Sequence, residues 1–225
     1  MKRFLTAVVC AAFVIGAAAA AFGQTVDTAV ALEGPGINKE TLANLMANGE
    51  LVAIREGPGG RLQITTAGIL IDQPPDAVYK TITDYAHYPQ FMPSTEECEV
   101  VATNGNVQDI RYVIKFKFLV FSWSVEYVMR QTLKSPQEIS WNLLSSKGNK
   151  IRKSFGSWRL MSIEGGKRTA AFYSVYSDVS NAVPGLGSFL AKDPSMETAI
   201  NVSASLMVLH AVKNRCENPA WVQKK

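Results

Sequence analysis

Between residues 109 and 130 the chain alternates in a way that only a strand hairpin can use. Tyr112, Ile114, Phe116 and Phe118 fall on one side, while Arg111, Lys115 and Lys117 share the other with Val113. Successive side chains point to opposite faces only in an extended chain, so the aromatic side is expected to face inward. The rhythm returns at once, with Trp123, Val125, Tyr127 and Met129 alternating with Ser124, Glu126, Val128 and Arg130. Ile139, Trp141 and Leu143 make a shorter strand, and residues 151–161 and 169–177 two more. Asn104-Gly105, Ser135-Pro136, residues 145–150 and Gly165-Gly166 supply the turns. Such a meander must bury its apolar face against another element. The last long segment provides one: Asp193 caps a helix whose first position is Pro194, and Asn218-Pro219 stops it just after Cys216. Met196, Ile200, Ser203, Met207, His210 and Ala211 recur on one side of that helix, widened by Val202, Leu206 and Leu209. This side is expected to face the sheet.

The front of the chain completes the order. Residues 51–55 and 62–71 read as strands split by a Gly57-Pro58-Gly59-Gly60 turn. The second ends at Asp72, and Pro74-Pro75 turns the chain into a short helix over residues 76–85, with Asp76 as its expected cap. Val78, Ile82 and Tyr85 would form its buried stripe, and a second short helix or loop follows through residues 87–93. Strand, two small helices, meander and long helix make an α+β helix-grip fold. Its curved antiparallel sheet wraps the C-terminal helix, and a cavity is expected between them.

Asp72-x-Pro-Pro-x-x-Val-Tyr, followed by Thr83-Asp84-Tyr85-x-x-Tyr88-Pro89-x-Phe91-Met92-Pro93, resembles the opening of START-like (SRPBCC) proteins, the polyketide cyclase/dehydrase and coenzyme Q-binding group. Tyr127-Val128-Met129-Arg130, Gly156-Ser157-Trp158-Arg159-Leu160 and Thr169 leading into Tyr173 extend the resemblance over residues 51–216. The resemblance implies the fold firmly and the function only by class, because such folds host unrelated activities.

The ends of the chain are different objects. Met1-Lys2-Arg3, an apolar core over residues 4–21 and small residues at Ala21 and Gly23 read as a secretory signal cleaved before Gln24. The expected organisation is a signal peptide over 1–23 and a linker with a short amphipathic helix over 24–50. A START-like domain over 51–217 and a tail over 218–225 complete it. Cleavage removes Lys2 and Arg3, lowering the formal charge of +4 by two, and the remaining basic residues are dispersed. That balance gives no field for nucleic acid. Export, most simply to a periplasm, leaves Cys98 and Cys216 with two outcomes, a disulfide or two buried thiols.

Motifs for chemistry are sparse. His87 and His210 have no metal-ligand spacing around them, the glycine-rich turn lacks the lysine and helix of a phosphate loop, and no nucleophile elbow or carboxylate pair occurs. No cofactor is implied. What the sequence does supply is large apolar and amphipathic groups aimed at one interior. Tyr112, Ile114, Phe116, Phe118, Trp123, Tyr127, Trp141, Trp158 and Tyr173 come from the sheet, and Met196, Met207 and His210 from the helix. These are the expected cavity lining. Within the loop over residues 181–192, the stretch 183–190 resembles the family's gate, with Val183, Pro184, Leu186 and Phe189 at its tip; it would act as a lid, touch a membrane surface transiently, or pack as an ordinary loop. Lys153, on a strand whose faces alternate less clearly, could reach the cavity mouth. The reading is an exported protein that binds or transports a lipid, isoprenoid or quinone. Its rivals are an aromatase/cyclase-type enzyme with His210 deep in the cavity, and an interaction module whose cavity has collapsed.

Overall fold

The computed structural model describes residues 39–118 and 121–223. Helix α1 (Lys39–Met46) is followed by β1 (Leu51–Glu56) and β2 (Leu62–Ile71), then α2 (Pro75–Ile82) and α3 (Tyr88–Phe91). The meander comprises β3 (Thr95–Asn104), β4 (Val107–Phe118), β5 (Phe121–Lys134), β6 (Glu138–Ser146), β7 (Lys153–Ile163) and β8 (Arg168–Asp178). Helices α4 (Leu186–Lys192) and α5 (Pro194–Glu217) close the described chain. The signal peptide expected over residues 1–23 lies outside the described residues.

All pairings are antiparallel, in the order β1-β2-β8-β7-β6-β5-β4-β3. Register shifts interrupt β1 at Arg55/Glu56, β3 at two places and β5 at Val128/Met129. Each leaves extra residues on one strand and bends it, so the sheet curves rather than lying flat. Gly156 on β7 pairs with Trp141 on β6. A Cβ there would lie 2.2 Å from the Ser174 carbonyl and 2.5 Å from the Trp141 indole, so the residue must be glycine for Trp141 to cross the strand.

The short helices follow their sequence signals, with one correction. Val78, Ile82 and Tyr85 are buried as a stripe. Asp76 is not the cap of α2: Pro74 holds that position and makes no side-chain cap, while Pro75 starts the helix and Asp76 sits in its first turn. Proline's preset φ and missing amide proton suit the helix start, which displaces the cap by two residues. Helix α1 packs on the outer face of the sheet, burying Leu42 and Met46 against Leu70, Ile163, Ala170 and Phe172. Strand β2 is therefore covered on both faces, and only Gln63 along it is exposed.

Candidate functional site: an aromatic cavity beside the long helix

Helix α5 starts as its sequence reads. Asp193 accepts hydrogen bonds from the Ser195 amide (3.0 Å) and hydroxyl (2.6 Å), with Pro194 at the first position. Its rotation differs from the expectation. The buried positions are Asn201, Ser205, Leu209, Ala211, Val212 and Cys216; Leu209 and Ala211 fall on the expected side, whereas Asn201, Ser205, Val212 and Cys216 do not. Asn201 accepts from the Ser177 amide (2.8 Å) and donates to the Ser177 carbonyl (3.2 Å), so it pairs with β8 as a neighbouring strand would. The Ser205 hydroxyl donates to the Asn201 carbonyl (2.7 Å) and lies 3.2 Å from the Thr65 hydroxyl, which donates to the Val175 carbonyl. Two short polar side chains with every bond satisfied lose little on burial. They also let the helix approach the sheet more closely than a stripe of methionines would.

This rotation corrects the helix side of the expected lining. Met207 is 53% exposed, and Met196 is half-buried near the helix start, away from the cavity. His210 is exposed and pairs with Glu50 at 2.9 Å. Hydrophobicity alone would turn the apolar residues of α5 inward, because burial usually follows it. Here hydrogen-bonded Asn201 and Ser205 win the inward face. The helix's contribution to the cavity is Val208 instead.

Lateral placement matters as much as rotation. The contacts of α5 concentrate on β2, β8 and α2. Across β4 to β7 the inner face is left with space above it, a cavity of about 130 Å³. Tyr112 and Tyr127 stack at 5.2 Å on one wall, nearly parallel at 14°. Trp141 and Trp158 meet Tyr173 at 5.3 Å and 4.6 Å on another. With Ile114, these are the six expected lining residues that the structure brings to the cavity.

Phe116 and Trp123 face each other across β4 and β5 but lie outside the cavity, with Phe116 41% exposed. Alternation put them on the correct face. The hairpin simply runs on beyond the part of the sheet that the helices cover. Phe118 ends β4, and its side chain lies outside the described residues. Lys153 is on the outer face, 5.0 Å over the Phe155 ring, rather than at the mouth. The expected gate loop is helical from Leu186 to Lys192; Val183 and Leu186 are half-buried, Pro184 is exposed and Phe189 is 51% exposed.

The roof comes from residues that the sequence reading did not single out as lining. Tyr88 lies 6.3 Å from the Tyr112 ring and donates its hydroxyl to the Ile82 carbonyl. Gln131 accepts from Tyr85 (2.5 Å) and donates to Tyr112 (2.9 Å), a buried chain that fixes the Tyr112 ring. The signal for Gln131 was its position, two residues beyond Met129 on the same face of β5. Polar identity hid it.

Among the described residues, no side chain lining the cavity carries a charge. Burial pushes the phenols of Tyr88, Tyr112, Tyr127 and Tyr173 well above their usual pKa, so they remain protonated. Cys98 and Cys216 are both free and buried, so the second of the two outcomes holds. Burial pushes the Cys98 thiol up to about 12, partly offset by a hydrogen bond from Tyr112, and the Cys216 thiol to about 11. Thiols held this firmly in the neutral form are unreactive.

Comparison with known proteins fits this geometry. The chain is similar in fold to an aromatase/cyclase from Streptomyces sp. R1128 (TM-score 0.57, 18% identity, covering 71% of this chain and 96% of that one). It is similar also to a STAR-related lipid transfer protein fragment from Xanthomonas axonopodis (TM-score 0.56, 15% identity, 75% and 94% covered). A third similar structure is a protein from Thermus thermophilus (TM-score 0.54, 18% identity, 70% and 99% covered). No curated protein sequence matches. The family model described as polyketide cyclase/dehydrase and lipid transport matches residues 71–193, from the end of β2 to the cap of α5. More than half the chain carries that match, and with its helix-grip sheet and long closing helix the protein belongs to this START-like family.

Proposed function

We propose that this protein is an exported carrier that holds a hydrophobic small molecule, a lipid, isoprenoid or quinone, between its sheet and α5. The observation that carries the reading is the cavity: about 130 Å³, walled by stacked aromatic rings, with no charged lining side chain among the described residues. A dry cavity of about 150 Å³ admits benzene, so this one holds a ring-sized head and not a whole lipid. A poorly soluble molecule regains there an apolar environment worth about 25 cal/mol for each square ångström buried. Phe189 on α4 and Lys192 at its end suit a transient meeting with a bilayer surface during loading. The signal-like N-terminus supports export to a periplasm, where such a carrier would bridge membranes.

The enzymatic rival loses its best acid–base candidate, because His210 lies at the surface beside Glu50. The remaining tyrosines, with their raised pKa values, are weak proton donors near neutrality. Native mass spectrometry of protein purified from its own compartment tests the carrier reading. A co-purifying neutral apolar molecule is expected. Protein that emerges empty and takes up none of a panel of lipids, isoprenoids and quinones would overturn it.

A further inference from the structure

The sheet has two edges, and only one is guarded. Along β3 two register shifts break the line of backbone groups, and Glu96, Glu97 and Glu99 stand there in ion pairs with Lys115 and Arg111. Shifts and charges of this kind keep an edge from pairing. At the other edge β1 pairs with β2 in unbroken register from Leu51 to Arg55, and among the described residues no strand lies on its far side. Val52 sits opposite Ala67 and Ile54 opposite Thr65, on the face beneath α5, yet Val52 and Ile54 are exposed. The helix rests on β2 and β8 and stops short of them. Ser205 against Thr65 and His210 against Glu50 fix its direction, alongside β1 from Ile54 toward Glu50. Between those contacts Met207 is exposed, one turn before His210 and on the same side. At Met207 the apolar stripe of α5 is therefore turned toward the free edge and away from the cavity.

Alternation gives this edge its charge pattern. Glu50, Val52, Ile54 and Glu56 share one side of the chain, two apolar residues bracketed by two exposed acids, of which His210 offsets the first. A second copy laid antiparallel so that Val52 meets Ile54 would set Glu50 of one protomer against Glu56 of the other, so the pattern opposes self-pairing. On the strand's other face Arg55 has a buried guanidinium nitrogen, Nη2, without an acceptor among the described residues. We infer that β1 is the docking edge for a strand of another protein. The segment it fits is extended, with basic, apolar, apolar and basic residues at alternate positions facing Glu56, Ile54, Val52 and Glu50, and an acid opposite Arg55. Its apolar pair would pack beside Val52 and Ile54 and toward Met207. Backbone hydrogen bonds along the edge supply affinity, and the alternating side chains supply specificity. The inference stands independently of the carrier reading.

The register dictates the probe, an end-blocked peptide of sequence Lys-Glu-Val-Thr-Ile-Thr-Lys, whose lysines fall opposite Glu56 and Glu50 and whose glutamate falls opposite Arg55. A control peptide has every charge reversed. Affinities for the full chain are measured by calorimetric titration, and hydrogen exchange follows the β1 amides that point away from β2. Those amides should exchange rapidly in the free protein at any concentration and become protected by the lysine peptide, which is expected to bind about tenfold more tightly than the control. Glu56→Lys should move that ratio about threefold toward the control. Ile54→Lys changes an exposed residue, so circular dichroism should be unaltered while protection is lost. Protection in the free protein that persists on dilution would give the edge to the chain's own N-terminal residues, and protection that appears only on concentration would give it to a second copy. Either result overturns the inference, as do equal affinities for the two peptides, binding of neither, or protection that survives Ile54→Lys.

Discussion

Along β2 and β8, α5 rests on small side chains: Thr65 touches Ser205, and Ala67 and Ala171 on the same face are fully buried. Over β4 to β7 the same face presents Tyr112, Tyr127, Trp141 and Trp158, joined at its border by Tyr173 of β8, and no helix fills the space above these rings. One sheet thus has a closed flank and an open one. On the closed flank, Asn201 paired with the Ser177 backbone, the Ser205 hydroxyl against that of Thr65, and Lys213 donating to the Leu70 carbonyl (2.7 Å) locate the helix. On the open flank, large rings keep the walls apart by stacking on one another. The contrast shows how a cavity survives in an interior that otherwise packs densely. The helix is held off-centre by specific polar contacts, and rigid rings shore up what it does not cover.

The largest expected difference between the flanks is in stability. Leu209→Ala removes a fully buried side chain from the closed flank and should cost about 3 kcal/mol. Ile114→Ala removes a half-buried one that already faces the void and should cost about 1 kcal/mol. Urea unfolding midpoints of the two variants compare them directly; equal losses would break the distinction. Next comes Val208→Phe, which adds a ring to the open side of α5. Stability should stay within about 1 kcal/mol of wild type while uptake of a ring-sized guest is lost, as read by titration with α-methylstyrene. The same enlargement at Ser205, against Thr65, should prevent folding.

Alkaline pH probes the acids whose protons burial holds in place. The thiols of Cys98 and Cys216 and the phenol of Tyr176 hold their protons more tightly folded than unfolded, with values of about 12, 11 and 12. The unfolded chain therefore binds fewer protons above about pH 9, and stability falls from there upward. Melting temperatures flat below pH 9 and declining to pH 11 are expected, with a shallower decline in Cys98→Ala. The smallest effect belongs to His210→Ala, which breaks only a half-exposed pair with Glu50. It should change stability by less than about 1 kcal/mol and leave guest binding untouched. A loss of binding would restore His210 to the interior.

How far the sequence could be read follows the same division. Strand alternation gave the meander and its inner face, because a period of two admits one partition. Asp193-Pro194 gave the start of α5, because cap chemistry is local. The rotation of α5 was not legible: Asn201 and Ser205 look like solvent-facing residues until their partners on β2 and β8 are placed. Nor was the reach of the cover, so Phe116 and Trp123 read as lining although they lie past the helices. Tyr85, Gln131 and Tyr112 come from separate elements, and their hydrogen-bonded chain exists only in three dimensions.

Xenon settles where the empty space is. In crystals of the protein held under the gas, an anomalous peak is expected among Tyr127, Trp141 and Tyr173, with none between α5 and β2 or under Ser205. Absence of xenon beside Tyr127 and Tyr173, or its appearance under Ser205 and Leu209 instead, would contradict the division of this sheet into a closed and an open flank.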